Sequence, residues 1–472
     1  MISIKSNVLL RSFKLLVLLS FFQLNLYSQQ NFLLYSMNSV PQSVNVNPSV
    51  MPEGTINVGV PILSSIYANW GFNGFNLNDV FSSNGATTNL LIGDAINNMG
   101  QNNFMTFNFH LELLSFGFKV KKNYFSFNVT EKADVGLRLP KDFFNLIWNG
   151  NGALLGQTLN LNFGVNATHY REYGFGFNRE LDKKWSVGGR FKLLDGEENI
   201  STAKSDVKFY TDPNDFSYKA SSDVKLNSSM DTSMGHSFNA SSYFMGFKNA
   251  GMAIDLGASY KVNEKITVAA SLIDLGFINW TNGVTNFQSQ NPGASFVFSG
   301  MTFKGLGLDS IQGGKSLNKL TDSLKKTFNI TTTHNNYKSY LPAQLYLSGS
   351  YKLNDVNIAT LLLYSQFMQG AMRPGLTLSV SSKVGKAVRS SVSYSMFNGN
   401  YGIVGFGLSL NAGPVQIYMI ADDIFAFLFY DQYNSGNSSI ELPANTRFFN
   451  FRTGLNLTFG RDKDKKADNP SF

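Results

Sequence analysis

Most of the chain beyond residue 104 is written in twos. Phe116, Phe118 and Val120 alternate with small or polar residues as far as Lys121, Lys122 and Asn123, and Phe125, Phe127 and Val129 then resume the rhythm. Met252, Ile254, Leu256, Ala258, Tyr260 and Val262 run to Asn263, Glu264 and Lys265, and Ile266, Val268, Ala270 and Leu272 return. A period of two puts apolar side chains on one face of a strand and polar ones on the other. Gly, Asn and Asp at the joints supply hairpin backbone, and the same chemistry recurs at 354–355, 385–386 and 411–414.

The joints fall into two length classes. Short polar turns alternate with connections expected over 131–158, 227–250, 278–340 and 423–446. A soluble sandwich has no reason to sort its loops by side, whereas an outer-membrane barrel keeps short turns on the periplasmic side and long loops outside. The fold class read from this is all-β: a transmembrane antiparallel β-barrel with long extracellular loops. Both ends on the periplasmic side require an even strand number, with the first strand in TINVGVPIL (55–63). The runs number sixteen, or fourteen if the hairpin 201–227, polar on both faces, stands outside the membrane; fourteen is preferred. In the closing stretch RFFNFRTGLNLTFG (447–460), Phe449, Phe451, Thr453, Leu455, Leu457 and Phe459 are expected to face lipid and Arg452 the lumen. A slip of one residue would reverse both faces.

Composition and the N-terminus agree. Only 15% of residues are charged, against about 25% in soluble domains. There are 42 Phe and 20 Tyr, yet mean hydropathy is −0.09, as expected where greasy and polar residues alternate. Residues 1–28 read as a signal peptide: a basic start, an apolar run from Leu15 to Phe22, and Ser28 before the cleavage point. No other segment approaches the ~20 apolar residues of a membrane helix. An exported chain that enters a membrane without such a helix must close its sheet, which places it in the cell outer membrane. Net charge is +8, and +5 once Lys5, Arg11 and Lys14 of the leader are set aside; no basic stripe implies nucleic acid. The absence of cysteine removes disulfides, thiolate metal sites and a lipid-modified anchor.

Chemistry-bearing motifs are sparse. His110, His169, His236 and His334 show no metal-ligand spacing, and no nucleophile elbow or phosphate loop occurs. The chain is read as a non-enzyme with no cofactor, an outer-membrane hydrolase being the remote alternative. The candidate site residues are charges within strand patterns: His110, Glu112, Arg138, Arg190, Lys192, Asp255 and Arg452. Arg or Lys facing mid-membrane lipid costs ~2–4 kcal/mol, so these should point into the lumen. There they form either a mutually satisfied network or a solute path. KSLNKLTDSLKKTF (315–328) places Leu317, Leu320, Leu324 and Phe328 on one helical face, and PKDFFNLIWNGNG (140–152) suggests a short helical turn.

The segments SMNSVPQSVNVNPSVMPEGTINVGVPILSSIYANWGFNGFNLNDVF, REYGFGF, GGRFKLLDGEENI, AGMAIDLGASYKV, SLIDLGFINW and GPVQIYMIADD resemble, in order, an uncharacterised family of Bacteroidota outer-membrane barrels, domain-of-unknown-function family 5723. The NPSV element, with Asn47 and Pro48, is also similar to the Asn-Pro-Ala element of fatty-acid-transporter-like barrels, the wider group of the secretion component PorV. Ser49 stands in place of the Ala. That resemblance implies a plug-like segment over 29–54 with Asn47 and Pro48 as its motif, the alternative for these two being an ordinary turn before the first strand; the strand pattern itself gives a barrel over 55–460, and the charge run a solvated periplasmic tail over 461–472. The resemblance implies transport of a solute, a hydrophobic one in some members; alternatively, a scaffold or accessory partner of an envelope or secretion complex. The partners expected are outer-membrane lipid, the barrel-assembly machinery and other envelope proteins.

Overall fold

The alternating segments are antiparallel strands, and in the computed structural model they close into a ring. The structure describes residues 32–461 apart from 84–87, 231–245, 292–293, 295, 299–325, 369–370, 386, 398–399, 424–429, 436–437 and 444–447. The leader, the tail beyond residue 461, and Leu317, Leu320 and Leu324 of the expected amphipathic helix lie outside the described residues.

Fourteen strands make the wall. The first, β1, is in two pieces, Ile56–Gly59 and Ile66–Phe72. It is followed by β2 (Asn102–Val120), β3 (Asn123–Pro140), β4 (Gly164–Glu180), β5 (Trp185–Thr211), β6 (Ala250–Lys261) and β7 (Ile266–Trp280). The remainder are β8 (Ala343–Lys352), β9 (Asn357–Met368), β10 (Ala371–Val384), β11 (Val388–Phe397), β12 (Asn400–Ala412), β13 (Val415–Asp422) and β14 (Phe448–Phe459). Each pairs with the next, and β14 pairs back onto both pieces of β1. Every strand edge is therefore satisfied, as a hydrocarbon surrounding demands.

Among the described residues, one end of the ring carries tight turns, at 121–122, 181–184, 262–265, 353–356 and 413–414. Three of them share one device. Asp182, Asn263 and Asn354 each accept the backbone N–H groups two and three residues further on, at 2.7–2.9 Å. The long connections leave the other end. There β5 overshoots the wall and pairs with Tyr218–Ser229, which pairs in turn with Val284–Ser289. The polar 201–227 hairpin thus belongs to a small sheet beyond the rim.

Two expected boundaries are corrected. The loop expected over 131–158 begins only after Pro140, with a helix over Lys141–Asn149. Lys132, Asp134 and Arg138 make this stretch look like loop, but they sit in the inward frame of β3. The first strand, expected to run unbroken through 55–63, leaves its ladder at 60–65. Pro61, Ile62 and Leu63 bulge outward there, with Ile62 at φ 70, while Ser64 and Ser65 are buried. A β-branched residue at positive φ is an outlier held in place by its surroundings.

The outer surface is a belt of exposed apolar side chains, among them Phe116, Phe175, Leu256, Leu363 and Ile417. Aromatic pairs such as Trp185–Tyr260 (ring centroids 4.6 Å apart) and Phe118–Phe125 (5.2 Å) rim the short-turn end, as barrel girdles do. On β14, Asn450, Arg452, Gly454, Asn456 and Thr458 are buried inward, and Phe449 to Phe459 alternate outward.

The chain ahead of β1 occupies the lumen. A helix, α1 (Phe32–Ser36), is buried throughout; a 3-10 turn follows at Pro41–Asn45, and the segment then leads to β1. Phe32 meets Tyr364 and Phe397 edge-on at 5.0 and 5.5 Å, and Tyr35 stacks on Tyr346 at 5.2 Å. These rings, with Leu33, Leu34, Val40 and Tyr418, form one apolar cluster against β8–β14.

Candidate functional site in the barrel lumen

The opposite side of the lumen, lined by β3–β7, is charged. Inward positions of β3 and β4 bring Lys132 beside Glu172, and inward positions of β5 supply Arg190 and Lys192. Asp255 comes from β6. Asp274 comes from β7, where a register shift and a φ of 60 at Asp274 turn an additional side chain inward beside Ile273. A β-bulge re-aims a side chain in this way. Asp255 accepts from Arg190 Nη1 at 2.8 Å and from Lys192 Nζ at 2.7 Å. Lys192 also reaches Asp274 at 2.6 Å. Glu172 accepts from Lys132 at 2.6 Å and from Arg190 Nη2 at 3.1 Å. Three cations meet three anions, and Asp255 is fully buried. Gln344 on β8 carries the network onward: its Nε2 donates to Asp274, and its Oε1 accepts from the hydroxyls of Tyr346 and Tyr364.

This layer separates two cavities. Strand β3 gives the order: Tyr124, Ser126 and Asn128 lie nearest its tight turn, Lys132 follows, and Asp134 and Gly136 lie beyond. The outer vestibule has about 470 Å³ of free space, counting its open mouth, and is lined by Thr106, Asn108, Asp134, Asn166, Thr168 and Arg373 among others. The inner chamber has about 340 Å³ on the same measure, between Gln42 and Val44 of the plug and Asn57, Glu112, Tyr124 and Asn128 of the wall. Tyr170 stands at the boundary: it lines the vestibule, and the ammonium of Lys132 lies 5.8 Å from its ring centroid.

Among the charges singled out from sequence, Arg190, Lys192 and Asp255 join the layer. His110 faces the lumen further out and bonds Asp134 at 2.8 Å. Glu112 lies at the inner chamber, where Gln42 donates to it at 2.9 Å. Arg452 bonds Ser65 at 2.7 Å and covers the ring of Tyr67. Arg138 sits at the outer rim, donating to the carbonyl of Asn162 at 3.0 Å. Asn47 and Pro48 are docked against β4–β6. The Asn47 side chain closes onto Ser49 N and Oγ at 3.0 and 2.7 Å, and Asn178 donates to the carbonyl of Pro48 at 2.9 Å. Among the described residues no group of three His, Asp or Glu is placed to hold a metal.

A family model matches residues 48–422, from the plug motif to the end of β13. The chain belongs to DUF5723, a family of unknown function. No curated protein matches it. Among solved structures, the TodX deltaS2S3 mutant monoaromatic hydrocarbon channel aligns over 92% of this chain and 96% of its own at 10% identity, TM-score 0.45. The Pseudomonas putida toluene transporter TodX aligns over 92% and 93% at 9% identity, TM-score 0.37. A Pseudomonas aeruginosa FadL homologue aligns over 88% and 91% at 10% identity, TM-score 0.38.

What this DUF5723 barrel does must therefore be argued from its own lumen. Sequence reasoning missed Lys132, Asp134, Glu172 and Asp274. The first two fell in a stretch read as loop, although their spacing of two was a usable signal. Asp274 was invisible, because a bulge breaks the alternation that would have assigned its face.

Proposed function

We propose that this protein is a gated, transport-type barrel of the outer membrane, passing a small solute through its lumen. One observation carries the reading: a charged layer lies between two cavities of the lumen. Six ionised groups taken out of water are poor stabilisers, since well-packed apolar residues of similar volume often do as well or better. A barrel needing only a solid core has no use for them. As a barrier between two polar compartments they have one: they present paired charge to an entering solute and can rearrange without a change in the wall. Passage also requires the plug to shift, because it fills the lumen beside the layer.

Liposome swelling with the full chain tests this. Low permeability is expected for the native protein, and faster entry of small solutes for Leu33→Ala, which loosens the plug. If correctly folded protein and variant are equally impermeable to every solute tried, the transport reading falls.

The sheet standing beyond the outer rim favours a second reading, a surface scaffold whose loops hold another envelope protein. Mild detergent extraction checks it, with co-purifying envelope proteins expected. A protein that always emerges as a lone monomer would remove it.

A further inference from the structure

We infer that one arc of the tight-turn rim, from β2 to β7, binds the phosphate headgroups of anionic phospholipid; the inference is independent of the transport reading. A backbone bond that repeats around this rim is the reason. The residue just before each of β3, β5, β7, β9, β11 and β13 accepts, through its carbonyl, an N–H from the tight-turn end of the strand that comes next, at 2.7–2.9 Å. Such a bond belongs to the main chain and does not select the side chain. Three consecutive positions are nevertheless lysines, Lys122, Lys184 and Lys265, whereas the other three, on the β8–β13 side, are Val356, Ala387 and Pro414. The three lysines are exposed, and none makes an ion pair among the described residues. Lys121, Arg179 and Lys183 stand exposed beside them. In all, residues 119–122, 179–184 and 261–265 hold eight Lys or Arg against three Asp or Glu, whereas 352–356, 383–387 and 411–415 hold three against one, so the positive field is concentrated on one arc. On the second arc Lys352 already has Asp355 at 2.8 Å.

The height of the arc names the partner. Lys184 is followed by Trp185, its ammonium lies 6.0 Å from the centroid of the Tyr260 ring, and Phe118 and Phe125 flank the turn that carries Lys122. These rings belong to the aromatic girdle, which sits at headgroup level in a barrel. Lysine stems run along such apolar surface and leave the ammonium in the polar layer. The turns are two and four residues long, too short to carry the cations clear of that layer to a periplasmic protein. Adjacent strands lie ~4.8 Å apart, so successive lysines of the set stand about 10 Å apart, roughly a Debye length, and their potentials overlap. Juxtamembrane lysines attract anionic lipid in this way. Phosphatidylglycerol, with its single charged phosphate, is the simplest headgroup that fits; a zwitterionic one brings its own ammonium into the same field.

Trp185 is the reporter. The test uses the full-length chain carrying Trp70→Phe and Trp148→Phe, in phosphatidylcholine vesicles doped with acyl-brominated phosphatidylglycerol or acyl-brominated phosphatidylcholine; Trp280 is fully buried and stays out of contact with lipid. Fluorescence quenching gives the relative affinity at the girdle. The anionic lipid is expected to bind about fivefold more tightly, the worth of one lysine at a charged lipid surface, and less so in high salt. Lys122→Gln combined with Lys184→Gln and Lys265→Gln should abolish the preference. Lys204→Gln combined with Lys208→Gln and Lys219→Gln, three cations of the sheet beyond the outer rim, should leave it intact. Heat-modifiable gel mobility shows that each variant is folded. Equal quenching by the two lipids, or a preference that survives loss of the three rim lysines, would overturn the assignment. So would an acidic periplasmic protein that photo-crosslinks in cells at position 183 while the vesicles show no preference; the arc would then be a protein-docking face.

Discussion

The two sides of the lumen are closed by opposite means. Against β8–β14 the plug packs rings and aliphatic side chains, with Phe32, Leu33 and Tyr35 at its centre. Against β3–β7 the closure is the ionic layer around Asp255 and Lys192. The first kind of contact is non-directional and grows with apolar area removed from water. The second depends on each charge keeping its partner. A lumen closed by apolar packing alone would be a solid core. One closed by charge alone would be a salt-sensitive pore. Joining them gives a plug that can be displaced as a unit while the polar layer keeps its own geometry.

The largest effect should come from breaking the ionic side. Asp255→Leu removes a partner of both Arg190 and Lys192 and strands their charge, which typically costs about 3–5 kcal/mol. Guanidinium unfolding of the full chain would measure this, and adding Lys192→Met should restore part of the loss. A cost near zero would mean that the layer is hydrated and does not close the lumen.

The apolar side should respond differently. Leu33→Ala opens a cavity in the plug cluster, with an expected penalty of ~2–5 kcal/mol. That penalty should fall on plug docking rather than on the wall. Amide hydrogen exchange would then rise over residues 32–50 and stay slow in β8–β14. Equal loss of protection in plug and wall would show that they unfold as one body and would erase the contrast.

A smaller effect is expected where the plug motif crosses to the charged side. A Cβ at Gly188 would overlap the carbonyl oxygen of Pro48, and one at Gly257 would lie 2.8 Å from Asn47 Oδ1. Gly188→Ala should cost roughly 1–3 kcal/mol by overpacking, read as raised exchange over residues 46–50. No change there would mean that the motif can move aside, so that the plug is held by its apolar cluster alone.

Much of this was legible in the chain. The period of two fixed the faces of β6 and β14, of β7 as far as Leu272 and of β2 on each side of the register shift at Glu112–Leu114, and Arg452 lies inward where the alternation puts it. Lumen charges could be picked out because each sat between lipid-facing apolar neighbours, as Arg190 does before Phe191. Legibility failed where the alternation failed. The bulge at Asp274 inserts one residue and so exchanges the faces beyond it, Val268 and Leu275 both lying exposed outside; the excursion at 60–65 keeps the frame, with Asn57 and Tyr67 both buried inward, but interrupts the run. It failed also where polar residues crowd the inward face, so that β3 beyond Thr130 looked like loop. The partnership of Lys132 with Glu172 is a property of strand register, which a single strand's pattern does not contain. The helix Phe32–Ser36 carries no alternation and follows directly on an apolar leader, so nothing local distinguishes it from that leader's end.

The smallest expected effect lies in the turns beneath the two sides. The turn joining β4 and β5 on the charged side uses Asp182, whereas those joining β6 to β7 and β8 to β9 use the neutral Asn263 and Asn354 in the same geometry. The N–H groups of Trp185 and Lys184 hold the Asp182 carboxyl below the usual carboxylate range. A folded pKa lower than the unfolded one contributes stability that is present above the unfolded value, near pH 4, and is lost as pH falls through the folded value. Acid should therefore loosen the β4–β5 turn and spare the two Asn turns. Because Asp182 is fully exposed, the effect should be local, visible as faster exchange of the Lys184 and Trp185 amides, after correction for intrinsic exchange rates, below about pH 4. Asp182→Asn should abolish that pH dependence while keeping the turn. If the three turns loosened together on acidification, the cause would lie in the ionic layer above them rather than in Asp182.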